Sequence, residues 1–434
     1  MNGRRYIIGF VLAAIIRLGW LFSHAGFPPE GNYGRFDQGD YRLYEIGAEH
    51  IAAQGDFNNS LFLVRPPGFP LLIYAVGISQ FAVLIANCFF GAGLVPLSMK
   101  IALELGLRLR LALWVGLILC LDPTAVIHSS VSLYAEPMTN AAILIFILCL
   151  LLGVKSAERR NRYSWLIAAA IFLAISALTR PTTQWLWVIF GGLLWWQHPR
   201  LRRSVIAFTL TSSILLSGWV VHNGFVHRHY IFSTLGAYTM LYYRAASVER
   251  LATNQPILDV FAAINQRVAM RMGDSPEGIG EEQRHHWLAA TPEVHAAMVA
   301  ESLSIFLKYP IAYLLTVPVG FLRIFGIFSA FPLLSQPWLS LAWLWDICLV
   351  LGWCAGMIFA KRAQQKPFFW WQITIVGYTT VVTLIVSSAS NSARMTSSIT
   401  PFLIMALVYA LDEIRILHRK RSSLADSAGS ISLQ

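Results

Sequence analysis

Charge is what this chain lacks. Only 13% of its 434 residues are Asp, Glu, Lys or Arg, against 56% hydrophobic ones, and that balance excludes a soluble globular protein. Acid is the scarcer sign, with 22 Asp and Glu against 33 Lys and Arg. Cysteine is sparse too. Cys88, Cys120, Cys149, Cys348 and Cys354 all fall in apolar runs, with no paired spacing in any loop, so neither a disulfide framework nor a zinc motif is expected. Internal repeats, low-complexity tracts and a soluble domain are lacking. No small-residue cleavage site follows the first apolar run in "LGWLFSHAGFPPEG", which reads as a retained anchor.

What is present is a series of apolar runs long enough to cross a bilayer. They lie near 6–22, 79–98, 111–128, 138–154, 164–180, 183–197, 204–221, 338–360, 368–388 and 396–411. The expectation is an all-α polytopic membrane protein with ten transmembrane helices, or eleven if 312–328 also crosses. Pro318 and Arg323 interrupt that last run, so it reads as a helix that dips into the membrane. Residues 1–412 would form one transmembrane domain and 413–434 a cytoplasmic tail.

The basic residues choose the orientation. In the ten-span arrangement, nineteen of them fall in short segments on one side, from Arg4 and Arg5 to Arg419, Lys420 and Arg421, with five acids. The opposite loops, 23–66 and 222–310, hold ten bases and fourteen acids. This is the positive-inside pattern. It puts both termini in the cytoplasm and accounts for the net charge of +11 without nucleic acid. An eleventh crossing would place Lys361 to Lys366 outside. No retention signal ends "SISLQ", and a bacterial plasma membrane is the expected location.

Both opposite loops are too long for mere connections. In the first, Tyr41, Tyr44, Ala48, Ile51 and Ala52 recur at helical spacing while Arg42, Glu45 and Glu49 lie off that stripe. An amphipathic surface helix is predicted there, capped by Asp37 or Asp40 and stopped by Gly55. The second loop shows helical patterns near 257–272 and 281–308, split by "GDSPEGIG". Glu281, Glu282, His285 and His286 have a spacing a metal could use, yet such mixtures on a loop helix usually form a solvated face, and no metal is assigned.

Charges inside apolar runs are few, and a charge in hydrocarbon marks a function or a specific partner. Arg17 and Arg323 read as structural. Glu136, Arg180 and Arg394 emerge on the side carrying Asp37, Asp40 and Arg65, so segments distant in the chain bring arginines and acids to one membrane surface. That is the combination a lipid-linked phosphate needs. A carrier or flippase lining a translocation path with such residues is the competing class. The chain shows no inverted repeat and no paired interrupted helices.

Several short motifs, in order along residues 11–411, resemble those of the GT-C superfamily of membrane glycosyltransferases, specifically its protein O-mannosyltransferase-like and aminoarabinose-transferase-like members. "DYRLYEIGAEHIA" with "VRPPGFPLLIY" resembles the family's first loop, in which an acid four residues before a tyrosine precedes a Pro-Pro-x-x-Pro segment. Asp40, Tyr44, Pro66, Pro67 and Pro70 fit. "SLYAEPMTN" resembles its outward Glu, here Glu136, and "ALTRPT" its Leu-x-Arg-Pro turn, here Arg180. "GWVVHNGF" resembles a Trp-x-x-Arg-Asn segment, with His222 where Arg is usual before Asn223, and "ARMTSSITP" resembles the last-span Arg, here Arg394. In the first loop Asp40-Tyr41 stands where the mannosyltransferases carry Asp-Glu.

The resemblance implies transfer of a sugar from a polyprenyl-phosphate donor to a glycan, lipid or protein acceptor on the extracytoplasmic face, with inversion and without a cofactor. Asp40 would be the general base, with Asp37 its rival and Glu136 a further catalytic candidate. Arg65, Arg180 and Arg394 would hold the phosphate, because a guanidinium matches its oxygens in bidentate fashion. Tyr44, His222 and Asn223 would contact substrate. An oligosaccharide polymerase or ligase shares this architecture but takes a diphosphate-linked chain.

Overall fold

The computed structural model describes residues 3–25, 38–275, 279–280, 291–324, 338–386 and 397–431. Asp37, Arg394 and the group Glu281, Glu282, His285 and His286 lie outside them, and at Asp40 and Arg323 the description extends to the backbone alone. Every regular element among the described residues is helical.

The first half runs α1 (Gly3–Ala25), α2 (Gln38–Gln54), the short α3 (Leu61–Val64) and α4 (Gly68–Ala75), α5 (Gln80–Glu104), α6 (Leu109–Leu121), α7 (Pro123–Ser130), α8 (Glu136–Lys155), α9 (Arg159–Thr179), α10 (Leu186–Gln197) and α11 (Arg202–His227). Then come α12 (Leu235–Thr239), a π-helical turn (Met240–Ala245), α13 (Ala246–Thr253), α14 (Ile257–Met272), α15 (Pro292–Lys308), α16 (Pro310–Ile324), α17 (Trp338–Arg362), α18 (Lys366–Val386) and α19 (Thr400–Ile431).

Seven of these, α1, α5, α8, α9, α11, α17 and α18, are each long and apolar enough to cross a membrane, and two bent pairs bring the number to nine. The pair α6 and α7 bends by 52° at Asp122, whose carboxylate accepts the Ala125 N–H while Pro123 takes the first helical position. An Asp cap followed by proline is a strong helix start, so the run expected as one straight span over 111–128 is broken. The pair α15 and α16 turns by 101°. Two expected spans are not among these candidates. The one over 183–197 is the 12-residue α10, about 18 Å long at 1.5 Å per residue, and the one over 396–411 is the start of α19, where Asp412 and Glu413 end the apolar stretch.

Inside the bundle, α8 packs on α9 and α5, α5 on α1 and α6, and α17 on α19. A continuous apolar core runs through them, including Val95, Phe146, Leu173, Phe190, Phe208 and Phe402. The second long loop has its own core, built from Tyr238, Leu241, Tyr242, Val260, Ile264, Met298 and Ile305. This lobe comprises α12–α15. It is stitched by Arg267, whose Nε and Nη2 meet Glu301 and Glu249 at 2.5 and 2.6 Å, and by Arg271, 2.8 Å from Glu301.

The helix predicted from the first loop is α2. Tyr41, Tyr44, Ala48 and Ile51 are buried on its inner face, and burial of each large side chain there contributes about 1.5–3 kcal/mol. Ala52 is exposed, contrary to the stripe, because the helix ends two residues later at Gln54. Gly55 follows at φ +72°, a conformation that costs glycine nothing.

Candidate active site at the loop end of the bundle

Glu136 is the first residue of α8 and Arg180 the residue that follows α9. Pro181 ends α9 by pushing Arg180 into extended backbone. These two adjacent helix ends bring the side chains together. Arg180 Nη1 lies 2.7 Å from Glu136 Oε1, with the side chains 15% and 2% exposed. The sequence-based pairing of these positions at one surface is thus an ion pair in the fold.

Arg65 reaches the same end through a tight backbone contact. It precedes Pro66 and Pro67 in extended conformation and is buried, its guanidinium 5.1 Å from the centroid of the Tyr44 ring. Tyr44 in turn meets Phe69 edge-on at 5.0 Å. Gly68 opens α4 directly against the backbone of Leu178 and Thr179, where a Cβ would stand 2.7 Å from their atoms. No other residue type fits such an approach without displacement, and it sets the Arg65 segment beside the end of α9 that carries Arg180. The second loop closes over this segment: Thr234 N–H donates to the Leu63 carbonyl at 2.8 Å and Ser233 Oγ to the Val64 carbonyl at 3.0 Å.

The acids of the first loop divide by partner. Glu45 and Glu49 meet Arg42 at 2.6 and 3.1 Å, and Asp56 takes His50 at 2.7 Å together with Asn58. Asp40 is the third residue of α2, so it stands inside the first turn and is not the cap that the sequence suggested.

His222 and Asn223 lie on the last turn of α11, where both serve loop architecture. His222 stacks on Trp219 with centroids 5.0 Å apart, and its Nε2 lies 3.3 Å from the Phe57 carbonyl. Asn223 Nδ2 donates to the Ile231 carbonyl at 2.8 Å, and its own carbonyl accepts from the backbone just past Arg228, which turns the chain at φ +54°. Below the ion pair, a cavity of about 30 Å³ is lined by Arg180, Asn140, Thr183, Tyr378, Thr379 and Thr383, among others. It has room for one water and not for a sugar.

Arg17 is fully buried and engaged, donating to Ser129 Oγ at 3.0 Å and to the carbonyls of Ala13 and Leu119, as its structural reading predicted. Arg244, which the sequence offered only as one more loop base in "MLYYRAA", is also fully buried. Its flanking tyrosines were the available signal. Among the described residues no group of three or more His, Cys, Asp or Glu side chains stands close enough together to hold a metal ion.

Comparison with known proteins adds a partial family match and a shared fold. Residues 73–232 match the model of the dolichyl-phosphate-mannose-protein mannosyltransferase family, and Glu136 and Arg180 both lie in that stretch. No curated protein matches the chain. Among solved structures, the archaeal oligosaccharyltransferase AglB from Archaeoglobus fulgidus, in complex with an inhibitory peptide and a dolichol-phosphate, superposes with a TM-score of 0.51 at 11% identity, over 96% of this chain and 52% of that one. The A. fulgidus oligosaccharyltransferase tethered to an acceptor peptide gives 0.48 at 11%, over 97% and 51%. ArnT from Cupriavidus metallidurans bound to undecaprenyl phosphate gives 0.38 at 14%, over 94% and 78%. The chain spans about half the length of the oligosaccharyltransferases. It shares the fold of that archaeal oligosaccharyltransferase, and its residues 73–232, just over a third of the chain, match the mannosyltransferase family model.

Proposed function

We propose that this protein transfers a sugar from a polyprenyl-phosphate donor to an acceptor hydroxyl or amine at the extracytoplasmic face of a bacterial plasma membrane. The observation that carries this reading is the sealed Glu136–Arg180 pair at the loop end of the bundle, inside the stretch that matches the mannosyltransferase model. In the proposed topology the chain crosses ten times with both termini cytoplasmic, residues 413–434 form a tail, and the loop end faces outward, where the sugar of a membrane-held donor projects.

In the reaction, Asp40 takes the acceptor's proton as the acceptor atom attacks the anomeric carbon. The bond from that carbon to the phosphate oxygen breaks with inversion, and the electron pair leaves on the lipid phosphate. A positioned carboxylate base contributes roughly a hundred- to ten-thousand-fold. The leaving phosphate needs positive charge, not a proton; Arg65 and Arg180 stand at this end of the bundle to supply it, and Arg394, outside the described residues, is assigned the same role. Glu136 keeps Arg180 in place, Tyr44 does the same for Arg65, and His222 and Asn223 hold the loops that frame the site. The reading calls for no cofactor.

A transfer assay tests it. Purified protein in nanodiscs is given a radiolabelled polyprenyl-phosphate sugar with and without membrane extract as acceptor source, and products are separated by thin-layer chromatography. Loss of label from the lipid that depends on acceptor supports the reading. Movement of intact donor between leaflets without cleavage would make the protein a flippase, and use of diphosphate-linked donors alone would make it a polymerase or ligase.

A further inference from the structure

Arg244 is fully buried in the π-helical turn Met240–Ala245, a kind of turn that recurs at functional sites. Its guanidinium sits 4.8 Å from the centroid of the Tyr313 ring. Nη1 makes a long 3.4 Å bond to the Thr316 carbonyl. Among the described residues Nε and Nη2 meet no hydrogen-bond acceptor and Arg244 forms no salt bridge, its other side-chain partner being Tyr313. Elsewhere in the same lobe Arg267 and Arg271 each have carboxylates.

A buried cation without an anion is costly, and the two orphan donors have a particular shape. Nε–H and Nη2–H form the side-on edge of the guanidinium, two parallel donors spaced to meet two oxygens of one phosphate. Gly320 of α16 packs closely here: a Cβ added there would stand 3.1 Å from a Leu384 methyl of α18 and 3.5 Å from Arg244 Nη1. One turn back along α18, Thr379 and Thr383 line the cavity that holds Arg180. Arg244 therefore stands where the lobe meets the loop end of the bundle, at the level of the candidate site, while Arg180 is already joined to Glu136.

We infer that Arg244 is the residue that grips the phosphate of the lipid donor, through Nε and Nη2, with Arg180 acting mainly on Glu136. This rests on the proposed transferase reading and puts Arg244 ahead of the three arginines that reading named.

The test uses the full chain in nanodiscs, with undecaprenyl phosphate, the neutral undecaprenol and inorganic phosphate as probes. Binding is read by native mass spectrometry and thermal unfolding by tryptophan fluorescence. Wild type binds the lipid phosphate in preference to the alcohol and is stabilised by it, whereas R244M loses roughly ten- to a hundredfold in affinity, as expected for charged hydrogen bonds, and R244K loses less. Without ligand, R244M unfolds at or above the wild-type temperature, because an unpaired buried charge has gone. Equal binding by R244M, with wild type still preferring the phosphate, overturns the assignment and leaves the donor reading standing. No preference in wild type overturns both. Protection by inorganic phosphate as strong as by the lipid moves the site to a soluble anion and overturns the lipid assignment. If R244M does not fold, R244K decides, and full lipid-phosphate affinity in it overturns the proposal.

Discussion

Glu136 and Arg180 meet at 2.7 Å across the facing ends of α8 and α9. Breaking a sealed pair strands the partner's charge, whereas replacing both members with apolar groups can be neutral. Arg180→Leu should therefore destabilise the bundle by about 3–5 kcal/mol, and the double variant Glu136→Leu/Arg180→Leu should recover most of that loss. Thermal unfolding in detergent measures both effects, and the transfer assay reads the activity of the same variants. If the pair serves the reaction, the double variant stays inactive; wild-type turnover in it would remove both residues from the site.

Asp40 in the first turn of α2 gives a cleaner separation of roles than a cap would. An acid there contributes only about 0.3–1 kcal/mol through the helix dipole, while loss of a general base costs at least about a hundredfold in rate. Asp40→Asn is expected to fold with nearly wild-type stability and to lose turnover by that factor. Turnover within about threefold of wild type, small against that factor, would shift the base to Asp37.

The orientation is open to chemical labelling. In a cysteine-free background, Ser60→Cys and Gln255→Cys should react with a membrane-impermeant maleimide on intact cells, and Gln365→Cys only after lysis. All three positions are exposed on the protein surface. Reaction at Gln365 in sealed cells would overturn the ten-crossing topology.

His229 and His295 face each other at 5.3 Å where the loop after α11 meets α15. Burial lowers both below the usual 6.5, with Glu293 pulling His229 partly back. A histidine that binds its proton less readily when folded makes the unfolded chain the better proton acceptor. Stability is then full above about pH 6.5, falls as pH drops through that value and levels off below the folded pKa values. The lobe should unfold at lower temperature at about pH 5.5 than at about pH 7.5, with the gap narrowed in His229→Gln/His295→Gln. An unchanged gap would show that other groups set the pH response.

Gly68 should tolerate nothing larger. Alanine there drives a methyl to 2.7 Å from the α9 backbone, so α4 must move and take Arg65 with it. A loss of about 1–3 kcal/mol is expected from overpacking, together with reduced transfer. Gly93→Ala, where a Cβ meets nothing within 4 Å, is the matched control and should be neutral or slightly stabilising.

Which parts were legible in the sequence follows from how far each signal reaches. Hydropathy located the runs because each is a local property, and the α2 stripe was readable up to its last turn for the same reason. The break at Asp122 was also local, in "LDPT", but a continuous apolar count over 111–128 conceals it. Crossing parity put Glu136 and Arg180 on one expected surface, but their contact at 2.7 Å is a property of how α8 and α9 pack. Arg244 was out of reach. A loop arginine is normally solvated, and its burial depends on the packing of α16 and α18 against a turn more than seventy residues earlier in the chain, as its bond to Thr316 measures.

The bonds from Ser233 and Thr234 to the carbonyls of Val64 and Leu63 close a circuit of 169 and 171 residues. The chain leaves the ribosome from its N-terminus, so the strap holding Arg65 is made well before the residues that fasten it. Until Thr234 has emerged and α11 has been inserted, the Leu63 and Val64 carbonyls lack those donors and Arg65 lacks its cover. Assembly of the site is therefore a late event in biosynthesis, and a chain truncated before residue 233 would insert most of its apolar helices and still have no place for a substrate.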